Sequence, residues 1–373
     1  MISPKPTEVT IKFPPEEDDF FRDLRAEIRD YFKATGQSIY GNNTMYIKVA
    51  VLAMVYLGAY LLPWFLPANS LLVIITYAFL GMWSVFLGVN VGHDAAHHAL
   101  FKNRRYNNLA MHIFDLLGLS SFNWKNRHVS GHHVFSNIMN YDPDIQQSAV
   151  VKIFPQDERR KFHKWQWLYM PFIYAIFIPR WVFYRDFKDV FYEFIGGFKN
   201  RPYPLFQVFK MTFFKVFYIT YLVVLPTIFT EHSLGTMIWA LAALMVASSA
   251  TIVVVLLTTH MLDDSAFPDP DEFGMMPYSW SKHQMKTTSD YATENVFVTH
   301  LFGGFNHHVI HHLFQHVCHV HYPAMTRILI QVAAKHNVTY RTKKRILPAM
   351  RSHFRLLYNN GIAPDQFLSL IHI

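Results

Sequence analysis

Apolar residues along this chain gather into two pairs of long, uninterrupted runs, with polar stretches before, between and after them. The first run extends from about Tyr46 to Leu66 and the second from Leu71 to about Val91, separated only by Pro67-Ala68-Asn69-Ser70. Each has the ~20 residues that a helix needs to cross a bilayer core of roughly 30 Å. So short a linker permits only a tight turn. A second pair, about Phe213–Phe229 and Leu234–Thr259, is joined by Thr230-Glu231-His232-Ser233. The pattern predicts an all-α integral membrane protein with four transmembrane helices in two hairpins.

The remaining segments follow other patterns. Phe21, Leu24, Ile28 and Phe32 recur at helical spacing, which predicts a short amphipathic helix lying on the membrane or on the rest of the protein. Residues 107–122 are moderately apolar but carry His112 and Asp115 and are too short to span. Residues 166–183 are aromatic and apolar but interrupted by Pro171 and by Pro179-Arg180. Both are expected on the membrane surface rather than across it. The chain is polar and irregular from His260 to about Tyr278, and 323–361 reads as amphipathic, basic helices. Three parts are therefore expected: a cytosolic segment 1–45, a membrane-bound catalytic domain 46–322, and cytosolic C-terminal helices 323–373.

Composition supports a membrane protein. Hydrophobic residues make up 51% of the 373 and charged residues only 16%, against about a quarter in soluble domains. The net charge of +8 taken alone fits nucleic acid, but the basic residues sit in loops beside the apolar runs. They read as topology determinants and lipid-headgroup contacts; no nucleic-acid partner is expected. The two short turns, 67–70 and 230–233, contain no Lys or Arg, whereas the long loops on the other side are rich in both. Both termini are thus placed in the cytosol. No early apolar signal segment is visible among the mixed charges of residues 1–45. Cys318 is the only cysteine, so thiolates cannot dominate a metal site.

Three histidine-dense stretches follow these runs: His93-Asp94-Ala95-Ala96-His97-His98, His128-Val129-Ser130-Gly131-His132-His133, and His307-His308-Val309-Ile310-His311-His312. Imidazole is the commonest metal ligand, and pairs three or four apart share a helix face. The tightest spacing selects His93, His97, His128, His132, His133, His308, His311 and His312. They are too many for one tetrahedral zinc and enough for two six-coordinate irons. Burying so many imidazoles without a metal would cost stability. His260, where the fourth run reaches the cytosol, is a ninth ligand on grounds of depth. Asp142 and Asp144 are placed to accept imidazole N–H bonds. Outside the tightest spacing lie His98, His283, His307, His316, His319 and His321. Asn306 either approaches a metal through water or caps a helix. Gly303-Gly304 marks a helix start or a close backbone approach. Isolated histidines at a membrane boundary are more often interfacial polar groups than ligands, so His112, His163, His232, His336 and His353 receive no role.

The pattern HDxxH, HxxxHH and HxxHH, with these intervals and two hairpins between, resembles the membrane-bound fatty acid desaturases. Trp124-Lys125-Asn126-Arg127-His128, His132-His133, Ser136-Asn137 and Asp142-Pro143-Asp144-Ile145 are similar to the second box of bacterial acyl desaturases. Gly303-Gly304-Phe305-Asn306, His311-His312-Leu313-Phe314 and His319-Val320-His321-Tyr322-Pro323 resemble the front-end and linoleoyl-CoA group. Thr259-His260-Met261 stands where that family has an extra histidine. The chain departs from the pattern at His308, where front-end enzymes usually carry Gln, and at Gln315, where proline is common. No HPGG haem motif of a fused cytochrome b5 occurs. The histidine spacing survives these departures; front-end regioselectivity does not follow from the resemblance.

The resemblance implies an O2-dependent, non-haem diiron oxidoreductase, with two Fe ions held by a cytosolic helical cap, that introduces a double bond into a fatty acyl chain. The resemblance leaves three carriers for the acyl group: CoA, acyl carrier protein or a lipid. Electrons would come from an external donor such as cytochrome b5 or ferredoxin with its reductase. The expected location is a multi-pass membrane protein with its active site facing the cytoplasm, in a bacterial inner membrane or, if eukaryotic, the endoplasmic reticulum. An acyl or alkyl hydroxylase or an acetylenase on the same scaffold is the alternative. A histidine-rich metal transporter is more remote, because 71–91 and 234–259 carry no charged residue where a transport path needs them.

Overall fold

The computed structural model describes residues 10–16, 19–145, 148–200 and 202–362. Among them, four helices are long and apolar enough to cross a membrane: Asn43–Phe65, Leu71–Ala96, Leu205–Phe229 and Leu234–His260. The ends of the expected terminal segments, 1–9 and 363–373, lie outside the described residues.

Two span boundaries differ from the hydropathy pattern for identifiable reasons. The second span runs on to Ala96 because its last turns are buried among other protein segments, where polar His93 and Asp94 find partners. The third begins at Leu205 rather than near Phe213. Lys210 breaks the apolar run just before Phe213, yet its ammonium is paired with Asp115 at 2.9 Å. Lys215, inside the span, is buried, 2.8 Å from Asp186 and donating to the carbonyls of Gly118 and Val182. A charge paired in this way is tolerated inside a helix that lipid alone would reject.

The second and fourth spans form the closest pair. A Cβ on Gly81 would lie 2.1 Å from the carbonyl oxygen of Leu244, so only glycine permits this approach. The Ser248 hydroxyl crosses the same contact to donate to the Gly81 carbonyl at 2.8 Å. At the turns, His232 accepts the Asn69 N–H on Nδ1 and lies 2.8 Å from the Pro63 carbonyl through Nε2. The Asn69 side chain accepts the Ser233 N–H in return. The two short turns are therefore stitched together on one side of the protein.

On the opposite side, short helices build a cap. Residues 104–125 and 166–191 form broken helical pieces rather than spans, with Phe172, Phe183 and Phe191 exposed, as suits a membrane surface. The amphipathic helix is present at Phe20–Thr35. Its most buried positions are Phe20, Leu24 and Ile28, with Phe21 and Phe32 only partly covered. It packs on the Tyr322–Lys335 helix and on the third histidine stretch. The C-terminal helices are Tyr322–Lys335 and Ile346–Gly361.

Candidate metal centre

The second span ends in a π-helical turn at Gly88–Gly92, directly before His93. Another π turn, Asn126–His132, carries the second histidine stretch. Such widened turns bring side chains five apart toward one side of a helix, which lets His128 and His133 share a centre while His132 faces another. The third stretch lies on the His308–Leu313 helix. Its approach is set by Gly303 and Gly304, both at positive φ (59° and 73°). A Cβ on Gly303 would meet the Val89 carbonyl oxygen at 2.5 Å, so the third stretch is seated directly on the second span. His260 arrives at the end of the fourth span.

These segments bring the nine selected histidines into two buried groups. One contains His93, His97, His128, His133 and His311; the other contains His132, His260, His308 and His312. Within each group the nearest ring nitrogens lie within 4.8 Å of one another. Nε2 of His260 is 3.0 Å from that of His132, 2.8 Å from His308 and 3.2 Å from His312. In the larger group, Nε2 of His128 is 3.2 Å from that of His93 and 3.1 Å from that of His133.

The outer nitrogens establish what the inner ones present. His132 Nδ1–H donates to Asp142 at 2.9 Å, His260 Nδ1–H to the Thr287 carbonyl at 3.1 Å, and His312 Nδ1–H to Gln284 Oε1 at 2.8 Å. In a neutral imidazole whose Nδ1 carries the proton, Nε2 is a lone pair. With all three imidazoles neutral, three Nε2 lone pairs meet around His260 with no proton between them, which is repulsive unless a cation lies at their centre. In the other group, His128 Nδ1 is held by Asp144 at 3.3 Å and His311 Nδ1 by the Tyr322 hydroxyl at 3.0 Å. Nε2 of His311 has no hydrogen-bond partner among the described residues. The donor set fits two transition-metal ions with oriented imidazole ligands.

Electrostatics favours the same state. Burial, reinforced by the facing imidazoles, holds His97, His133, His308, His311 and His312 far below the ordinary histidine range. They are neutral and able to bind metal at neutral pH. His132 is shifted upward: burial alone would lower it, but Asp142 and Asp144 together outweigh that effect.

The neighbouring histidines are engaged elsewhere. His98 contacts Lys125, His283 bonds the Ser136 carbonyl, and His307 lies between Thr299 and Thr326. His321 bonds the Tyr40 carbonyl and His316 is exposed. Asn306 donates to Thr299, on the Val296–Leu301 helix, and to the Ala292 carbonyl. His353 bridges the Met261 carbonyl and Tyr174, and His163 the Ala149 carbonyl.

Some supporting residues had no visible sequence signal. Gln284 and Thr287 lie on a helix, Trp280–Thr287, remote in sequence from every stretch. Asp94 lies 3.6 Å from His93 Nδ1 and 2.8 Å from His319 Nδ1, while the Lys48 ammonium lies 2.5 Å from His319 Nε2. Asp94, His319 and buried Cys318 cluster, but Lys48 takes the outer nitrogen of His319, so this trio buttresses His93. Tyr322 and His319 were visible only within the motif HVHYP.

Beneath the two groups, a cavity follows the second and fourth spans into the membrane region. His93, His128, His132, His260 and His308 form one end, and Ser84, Ser248 and Tyr218 the other. Ser84 precedes His93 by nine residues and Ser248 precedes His260 by twelve, a depth of ~13–18 Å at the helical rise. Its remaining walls are mostly aliphatic and aromatic.

An integral membrane protein whose spans carry paired polyhistidine groups above an apolar slot is built for metal-dependent chemistry on a lipid chain. The fatty acid desaturase family model matches residues 68–344, and the chain belongs to that family. It is similar to an acyl-lipid (8-3)-desaturase of Physcomitrium patens, with 31% identity covering 93% of this chain and 72% of the relative. It is also similar to sn-1 linoleoyl-lipid 6-desaturases: that of Synechocystis sp. at 29% (95% and 98% covered) and that of Arthrospira platensis at 28% (93% and 94%). The protein is therefore an oxidoreductase that desaturates fatty acyl chains.

Proposed function

We propose that the nine histidines hold two iron ions and that the acyl group is carried by a membrane lipid, as it is in the names of the similar acyl-lipid and linoleoyl-lipid desaturases. His93, His97, His128, His133 and His311 form one ion's ligand set; His132, His260, His308 and His312 form the other's. The convergence of unprotonated Nε2 atoms on His260 is the observation that carries the metal assignment. Bound iron supplies the O2-derived oxidising power needed to break an unactivated methylene C–H, which no side chain can do as an acid or base.

The rest is the work of the chain itself. The apolar slot threads the acyl tail along the second and fourth spans and excludes water from the reacting carbons. Asp142, Asp144, Thr287, Gln284 and Tyr322 fix the imidazoles so that their Nε2 atoms stay turned inward. In this reading 46–322 is the catalytic domain, and the described parts of the flanking segments 1–45 and 323–373 cover it from the cytoplasm. The cytoplasmic orientation rests on the lysine- and arginine-free turns, 67–70 and 230–233. Removing two hydrogens with O2, to give two waters, consumes two further electrons. A separate donor of the cytochrome b5 or ferredoxin kind delivers them from that side.

The test is expression in a host of defined fatty acid composition, with mass spectrometry of its lipids. A new double bond is expected, and it disappears in His132→Ala. An unchanged product and rate in that variant would remove His132 from the metal site; a hydroxylated or acetylenic product would replace desaturation.

A further inference from the structure

Two nitrogen donors on the cavity wall are left open by the protein. Trp181 and Arg185 both line the slot beside Asp144, and they are only 5% and 6% exposed. The guanidinium carbon of Arg185 lies 4.3 Å over the Trp181 ring. Neither the indole Nε1–H nor the Arg185 Nε–H has a hydrogen-bond partner among the described residues. Buried donors are almost always paired, and leaving one open costs roughly 1–3 kcal/mol. Two adjacent ones on the wall of a substrate slot indicate that their acceptor comes from outside the chain.

The charges nearby define that acceptor. Arg185 pairs with Asp144 at 3.1 Å and Arg127 with Asp189 at 2.9 Å. The two cations and two carboxylates cancel, which leaves no surplus charge for a phosphate or a free carboxylate. Both open positions are donors, so the matching group has lone pairs and no hydrogen of its own to place. A hydroxyl or water brings an O–H that needs a further acceptor; a carbonyl oxygen accepts two hydrogen bonds and brings none. We propose that Trp181 Nε1–H and Arg185 Nε–H receive the carbonyl oxygen of the ester or thioester that carries the acyl chain. The enzyme then measures the double-bond position from that carbonyl.

Distance gives the idea its content. Arg185 holds one oxygen of Asp144, and the other oxygen lies 3.3 Å from Nδ1 of His128. The carbonyl seat is thus separated from a metal-binding imidazole by a single carboxylate. The long apolar part of the slot runs the other way, toward Ser84 and Ser248. A carbonyl anchored at Trp181 places the carbons nearest it at the histidines and sends the methyl end down the slot. Chain length then changes how far the tail reaches and leaves the oxidised carbons unchanged.

This inference rests on the desaturase reading, and one experiment separates the two. Full-length protein, purified and supplied with an electron donor, is given the same acyl chain in three forms: ester-linked to a glycerolipid, as a CoA thioester, and as an ether lipid that lacks the carbonyl. Chains of several lengths are included. The better carbonyl form is expected to turn over about tenfold faster than the ether, the size of one or two lost hydrogen bonds, and it identifies the carrier. The double bond should keep a constant count from the carbonyl at every length. Trp181→Phe, which keeps the ring and removes the N–H, should bring the ester-to-ether ratio close to one and spread the double bond over neighbouring positions, with metal content unchanged. Equal use of ether and ester by the unsubstituted protein overturns the proposal without recourse to any variant. So does a constant count from the methyl end, or a folded Trp181→Phe protein with its ratio and position unaltered. If the unsubstituted protein desaturates none of the three forms, the desaturase reading fails and this proposal fails with it.

Discussion

Asp142 fixes the orientation of His132: its carboxylate lies 2.9 Å from Nδ1 of the imidazole and also accepts the backbone N–H groups of Asn137 and Asp144. One side chain therefore folds the loop after the second histidine stretch and turns the inner nitrogen of His132 toward His260. Replacing Asp142 with Asn removes the charge that holds this tautomer. The expected result is a ten- to hundredfold loss of metal affinity, measured by metal analysis after dialysis against a graded chelator. Undiminished binding would mean that the carboxylate serves the loop alone.

The division of nine histidines into groups of five and four predicts separable depletion. His97→Ala and His260→Ala should each retain about half the iron of the unsubstituted protein, because each removes a ligand from one ion only. His98→Asn should retain all of it, since His98 faces Lys125 and Asn tolerates its positive φ. Iron per chain decides between this division and a single merged site.

At the contact of the second and fourth spans, Gly81→Val should destabilise the protein by ~3 kcal/mol or more. The added carbons would overlap the Leu244 backbone, which cannot move aside as a flexible side chain would. Gly235→Ala, whose added carbon meets nothing nearer than the Ser233 hydroxyl at 3.9 Å, is the control. Thermal unfolding in detergent should separate the two variants clearly.

His353 ties the last helix to the irregular segment after the fourth span, with Nδ1 donating to the Met261 carbonyl at 2.7 Å and Nε2 accepting from Tyr174. Burial pushes its pKa down to about 4, against about 6.5 in the unfolded chain. Between these values the unfolded chain binds a proton that the folded one refuses. The contribution of His353 is therefore complete above pH ~6.5 and falls away toward pH 4, by on the order of 3 kcal/mol in all. His353→Asn keeps the bond to Met261 and removes the titration. Its stability should fall less steeply than the parent's over that interval; parallel curves would refute the assignment.

Much of this arrangement is legible in the sequence because the membrane restricts the choices. Turns without lysine or arginine, 67–70 and 230–233, place the histidine stretches on one side, and their spacing selects eight of the nine imidazoles that meet. His260 was visible only through its depth at the end of an apolar run. Local patterns could not show where a polar residue finds a distant partner. Lys210 reads as the limit of a span because Asp115, which neutralises it, is far away in the chain. Gln284 orients His312 from a helix with no histidine-box pattern. The widened turns at Gly88–Gly92 and Asn126–His132 have no simple compositional mark, yet they set which imidazole faces which group.

The order in which the ligands leave the ribosome has a consequence for how the enzyme matures. One group takes His93, His97, His128 and His133 from early in the chain but waits for His311; the other has only His132 until His260, His308 and His312 emerge. Neither cage closes before the second hairpin is in the bilayer and the third stretch has folded back onto it. Under the proposed ligand assignment, metal captured earlier would be held by an open, exchangeable set of imidazoles. Loading would thus be tied to the last stage of synthesis, and a chain truncated before His308 would be inserted in the membrane without being able to complete either site.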